Sequence, residues 1–182
     1  MNPMGISKKQ PLPTLVRLTP PMTSETTPAP FKVWTNSEYD RTYALYNAFR
    51  QVNTGGDYSS AASFNASTGY GSVDIIIDLD QPRQLGKYVL RTRRNTASAL
   101  YWPIDWNVSG STDRLNWISI DSQVNQQSGI TPGITIPTAY LYRPYEYELA
   151  LLTPAYQYYK FNFTRVDYDQ YMMLGELETW GI

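Results

Sequence analysis

The stretch Val73-Asp74-Ile75-Ile76-Ile77-Asp78-Leu79-Asp80 sets the reading of the whole chain. Val73, Ile75, Ile77 and Leu79 fall on every second position, with Asp74, Ile76, Asp78 and Asp80 between them. A two-residue apolar period puts one face of an extended strand in a core and the other toward water. A helix would scatter the same residues around its axis.

The same period recurs on both sides. Tyr88-Val89-Leu90-Arg91-Thr92-Arg93 follows Gly86. Trp106 to Gly110 and Trp117 to Ile120 flank the turn residues Ser111-Thr112-Asp113-Arg114. Tyr145, Tyr147, Leu149 and Leu151 alternate with Glu146, Glu148 and Ala150. Tyr159, Phe161 and Phe163 alternate with Lys160, Asn162 and Thr164, and a last strand is expected near Leu174 to Trp180. Only Tyr39 to Phe49 reads as helical, for about two turns. About eight short strands at this spacing predict an antiparallel β-sandwich or barrel. Trp106 and Trp117 are both expected to enter the space between sheets. Asp113 is expected to cap the turn between them.

Composition narrows the chemistry. The 182 residues suit one domain with an extension. Neither cysteine nor histidine is present, so disulfides, thiolate nucleophiles, Ser-His-Asp triads and His-based zinc sites are excluded. The 15 basic and 16 acidic residues nearly cancel, giving no field for a polyanion, and no nucleic-acid partner is expected. No apolar run approaches the length of a membrane span, and no signal-peptide pattern is found. Residues 1–30 hold Pro3, Pro11, Pro13, Pro20, Pro21, Pro28 and Pro30 without periodicity. They read as an extended Pro-rich arm or linker ahead of a domain spanning 31–182. Leu12, Leu15, Val16 and Leu18 of this arm are the residues expected to dock on a neighbouring subunit.

Four strings carry a resemblance. They are Asn47-Ala48-Phe49; Val73 to Leu79; Tyr101-Trp102-Pro103-Ile104-Asp105-Trp106-Asn107-Val108-Ser109-Gly110-Ser111-Thr112-Asp113 leading to Asn116-Trp117; and Tyr158 to Phe163 leading to Leu174-Gly175-Glu176-Leu177-Glu178. In this order they resemble the discoidin or coagulation-factor type C family, over about Phe31 to Ile182. The resemblance implies an all-β, galactose-binding-like jelly-roll sandwich. In calcium-holding members an Asp-Gly pair follows the Ala-Phe string and a glutamate lies in the last strand. Here Arg50-Gln51 stands in place of that pair, while Glu176 matches the late glutamate and Asp57 lies nearby. Two readings stay open: calcium held by Asp57 and Glu176, or a pair between Arg50 and Glu176 that does the ion's structural work.

For ligand contact, the likeness to sugar-binding relatives points to the end loops and to Arg94, Asn95, Trp102, Tyr168 and Tyr171. Arg91, Arg93 and Arg94 form the one basic cluster, which either holds an anion or pairs with Asp74, Asp78 or Asp80. The carboxylate pairs Asp78/Asp80, Asp167/Asp169 and Glu176/Glu178 arise from strand alternation alone and do not imply a glycosidase. The chain is therefore expected to be non-catalytic. Low charge, absent cysteine and the arm favour a bacteriophage-type virion protein of the tail or capsid surface. It would be made in the host cytoplasm and would assemble with other virion proteins as an oligomer. The alternative is a carbohydrate-binding module for cell-surface glycans.

Overall fold

A computed structural model describes residues 13–52, 57–59, 71–94, 101–127, 129, 137–167 and 171–182. The strands are β1 (Val16–Arg17), β2 (Lys32–Thr35), β3 (Tyr58–Ser59), β4 (Val73–Arg83), β5 (Leu85–Arg91), β6 (Pro103–Ser111), β7 (Ile118–Gln123), β8 (Pro144–Glu148), β9 (Tyr156–Val166), β10 (Met173–Leu174) and β11 (Glu176–Gly181). One sheet has the order β1-β11-β5-β8, the other β2-β4-β9-β6-β7, and β3 pairs with β10 beside them. The pairings are antiparallel, as the alternation predicts for a sandwich with one wet face per sheet.

The core forms where the alternating faces meet. Val73, Ile75 and Ile77 of β4 lie directly opposite Phe163, Phe161 and Tyr159 of β9. On the other side of β9, Phe163 and Phe161 face Trp106 and Val108 of β6. All of these are buried, and Tyr88, Leu90 and Leu177 close over them from the second sheet. Gly110 is required by a close approach: a Cβ there would lie 2.2 Å from the ring of Tyr156.

Several expectations are corrected. The 39–49 segment forms two short 3₁₀ turns, Arg41–Tyr43 and Leu45–Phe49, separated by Ala44 in an extended conformation (φ −56°, ψ 149°). Strand β8 ends at Glu148, and Leu151 turns out to solvent. Trp117 does not enter the core. It is half-buried on the outer face of the sheet beneath Lys160, whose Nζ lies 4.6 Å from the ring centre. Asp113 does cap its turn, accepting from the backbone N–H groups of Leu115 and Asn116 at 2.8 Å. Those donors hold its carboxyl well below the usual carboxylate range.

The described part of the leader, from residue 13 on, makes contacts with the sandwich. Arg17 pairs with Trp180 across the β1–β11 ladder, and the N–H of Leu18 donates to the carbonyl of Thr179 at 2.8 Å. Leu18 and Met22 are members of the core. Leu15 packs over Gly86, where a Cβ would lie 3.0 Å from it. Of the leucines expected to reach a neighbouring subunit, Leu15 and Leu18 pack on their own domain. Val16 remains 56% exposed, and Leu12 lies outside the described residues.

Candidate functional site: a tyrosine rim beside a buried ionic cluster

Two groups of side chains meet at one end of the sandwich. The outer group is aromatic. Tyr39 enters the first 3₁₀ turn, which is capped by the Asp40 carboxylate accepting from the N–H of Thr42 at 2.7 Å. Tyr101 precedes β6 and Tyr171 precedes β10. The ring of Tyr39 lies edge-on to Tyr43 at 5.8 Å and to Tyr171 at 5.3 Å, and Tyr171 lies 6.2 Å from Tyr101. Tyr39 is 52% exposed and the other three are half-buried.

The backbone fixes this arrangement. The N–H of Met173 donates to the carbonyl of Tyr101 at 3.0 Å, and that of Asp167 to the carbonyl of Trp102 at 2.9 Å. The Asp167 carboxylate accepts in return from the N–H of Trp102 at 2.9 Å. Tyr101 itself sits at φ 53°, a left-handed conformation that costs a non-glycine residue about 1 kcal/mol or more. Such strain persists only where surrounding contacts enforce it. Behind the rim the Arg93 guanidinium lies 5.9 Å from the Tyr101 ring centre and 3.8 Å from Asp57.

The inner group is ionic. Arg94 lies 3.6 Å from both Asp57 and Glu176, and its N–H donates to Asp57 at 2.8 Å. Arg17 of β1 donates to Glu176 and lies 3.6 Å from Glu178. Arg91 donates to Glu178 at 2.6 Å. Tyr142 lies between Arg91 and Arg94, whose guanidinium carbons are 4.9 Å and 4.7 Å from its ring centre, and its hydroxyl donates to Glu176. Burial pushes the Asp57 and Glu176 carboxyls up from their ordinary values, against the lowering by Arg94 at Asp57 and by Arg17 at Glu176.

These positions correct several sequence expectations. The basic cluster pairs with Asp57, Glu176 and Glu178, not with Asp74, Asp78 or Asp80, because β4 lies in the opposite sheet. Glu176 takes Arg17 and Arg94 as its ion partners, not Arg50. Arg94 faces this inner cluster, and its neighbour Arg93 faces the rim. Trp102 is 1% exposed and packs on Tyr145 at 4.7 Å, so its ring is closed to a ligand. Tyr171 lies on the rim as expected. Asn95 and Tyr168 fall outside the described residues. Sequence reasoning missed Tyr39, Tyr43 and Tyr101. The one signal available was the Tyr39/Tyr43 spacing of four residues, which puts both rings on one side of a helical turn.

The inner cluster does not fit calcium. Calcium needs six to eight oxygen ligands, and each carboxylate here already faces two guanidinium groups. Among the described residues no group of three acidic side chains is arranged to hold an ion.

No protein-family model matches the sequence, and no curated protein matches it either. Solved structures do. Chitosan-binding module 1 of a chitosanase/glucanase from Paenibacillus sp. IK-5 is 15% identical, with 91% of this chain and 99% of that one covered at TM-score 0.61. CBM32-3 of a family 31 glycoside hydrolase from Clostridium perfringens is 20% identical over 82% and 88% of the two chains, at TM-score 0.62. The family 32 module of Clostridium perfringens NanJ, solved with galactose, is 7% identical over 82% and 93%, at TM-score 0.57. At these identities the likeness establishes the fold, the galactose-binding-like jelly roll of discoidin-type domains.

Proposed function

We propose that the chain is a non-catalytic carbohydrate-binding module whose ligand stacks on the tyrosine rim. The observation that carries this is the group Tyr39, Tyr43, Tyr101 and Tyr171, held at one end by strained and hydrogen-bonded backbone. The C–H faces of a sugar ring suit aromatic faces, and phenol hydroxyls supply donors and acceptors for its hydroxyls. Three solved relatives of the fold support the ligand class: one is named as chitosan-binding, and two were solved with galactose or GalNAc-β-1,3-galactose. Among the described residues nothing at the rim assembles a nucleophile with a base. Glu176 and Glu178, the carboxylate pair behind it, are buried and engaged by arginine, and the Asp167 carboxylate accepts from the backbone N–H of Trp102.

A virion role draws on composition and on an arm free to dock elsewhere. With Leu15 and Leu18 packed against their own sandwich, the module reading is the better supported.

Titration calorimetry with galactose, GalNAc-β-1,3-galactose and chitosan oligosaccharides tests it. One of these sugars should bind, and Tyr39→Ala and Tyr171→Ala should each weaken that binding about tenfold, the worth of one stacked ring. Both variants should keep the wild-type melting temperature. Binding unchanged in both, or absent from all three sugars in the wild type, would sink the proposal.

A further inference from the structure

The inner ionic cluster contains a relationship that carbohydrate binding does not require. Three carboxylates, Asp57 and the β11 pair Glu176 and Glu178, are buried at 0%, 0% and 3% exposure. An isolated buried carboxylate is costly, and such groups persist only when paired. Four guanidinium groups face these three: Arg91, Arg93 and Arg94 from the end of β5, and Arg17 from a strand only two residues long. The N-terminal contribution reaches across 159 positions of sequence to Glu176.

Strand β1 is short, and beside the ion pairs of Arg17 it is held by the Leu18 N–H on the Thr179 carbonyl and by the packing of Leu15 and Leu18. It pairs with β11 at two positions, Val16 with Gly181 and Arg17 with Trp180, and Val16 is 56% exposed. On the outer face of β11, Glu176 and Glu178 have only Arg17, Arg91, Arg94, Tyr142 and the Trp180 indole as described polar partners.

We propose that β1 is a structural strap: Arg17 supplies from within the chain the positive charge a divalent cation would otherwise bring to Glu176, so this end of the sandwich closes without metal. The proposal is independent of the ligand reading.

Melting of the full chain tests it. The wild type should melt at the same temperature in excess EDTA and in millimolar calcium chloride, since a cation bound only to the folded state would raise it. Arg17→Met keeps the length of the side chain but removes the charge, and should lower the midpoint by about 10 °C. Adding Glu176→Gln to Arg17→Met should recover most of that loss, because it removes a buried charge left with only Tyr142 and an Arg94 that it shares with Asp57. If Arg17→Met does not fold, the double variant decides: its folding supports the strap, and its failure to fold assigns the loss to packing and overturns it. A wild type sensitive to EDTA or calcium, an unchanged Arg17→Met, or a double variant no better than Arg17→Met would each overturn it.

Discussion

Trp106 and Tyr88 are joined across the sandwich: the indole N–H of the first donates to the phenol oxygen of the second at 3.0 Å. The same phenol donates to Asp121 of edge strand β7 at 2.7 Å. One hydroxyl therefore ties both sheets together and satisfies a buried indole. Tyr88→Phe leaves Trp106 Nε1 buried without an acceptor and removes a donor from Asp121, which keeps only Gln123 and its neighbouring backbone. We expect a loss of about 1–3 kcal/mol, read from urea denaturation with an unchanged slope.

Trp102 and Tyr39 separate stability from binding. Trp102 is buried against Tyr145, so Trp102→Ala should cost about 3–5 kcal/mol by opening a cavity, where Tyr39→Ala should cost little. Thermal melts of the two variants in parallel check this. Comparable losses would place Tyr39 in the core rather than on the rim.

Gly175 joins β10 to β11 where the chain passes the ionic cluster. A Cβ there would lie 2.1 Å from the carbonyl oxygen of Thr92, a backbone atom that cannot move aside without shifting a strand. Gly175→Ala should destabilise by about 1–3 kcal/mol. Gly86→Ala meets only leucine side-chain tips at 2.8 to 3.1 Å, which can rotate away, and should cost less. Equal midpoints for the two variants would contradict this account.

Much of the sandwich was legible because alternation is a local signal: Val73, Ile75, Ile77, Tyr159, Phe161 and Phe163 all face the core. Trp117 misled because an aromatic next to an edge strand has two faces to choose from, and Lys160 on the outer one attracts its ring. The site was legible only in part. Tyr171 and the basic cluster could be named, but not which arginine lies behind the rim and which enters the inner cluster, since Arg93 and Arg94 diverge beyond the end of β5. The pairing of Arg17 with Glu176 had no sequence signal, because the arm's proline content masks a two-residue strand.

Alkaline pH provides the last expectation. Tyr58 and Tyr88 are fully buried, and desolvation pushes both phenols well above their ordinary value of 10. At Tyr88 the Asp121 carboxylate adds to the rise. A phenol that holds its proton more tightly when folded stabilises the fold below the unfolded value, and that stability is lost as pH rises toward the folded one. From about pH 10 upward each of the two should cost on the order of 1.4 kcal/mol per pH unit, so together about 3 kcal/mol per unit drains a reserve of about 5–15 kcal/mol. Tyrosinate absorbance from the exposed rings should rise gradually, and that from Tyr58 and Tyr88 in one step with loss of the near-ultraviolet circular dichroism. A smooth titration of all 16 tyrosines with the dichroism intact would show that these two phenols are not held apart from solvent.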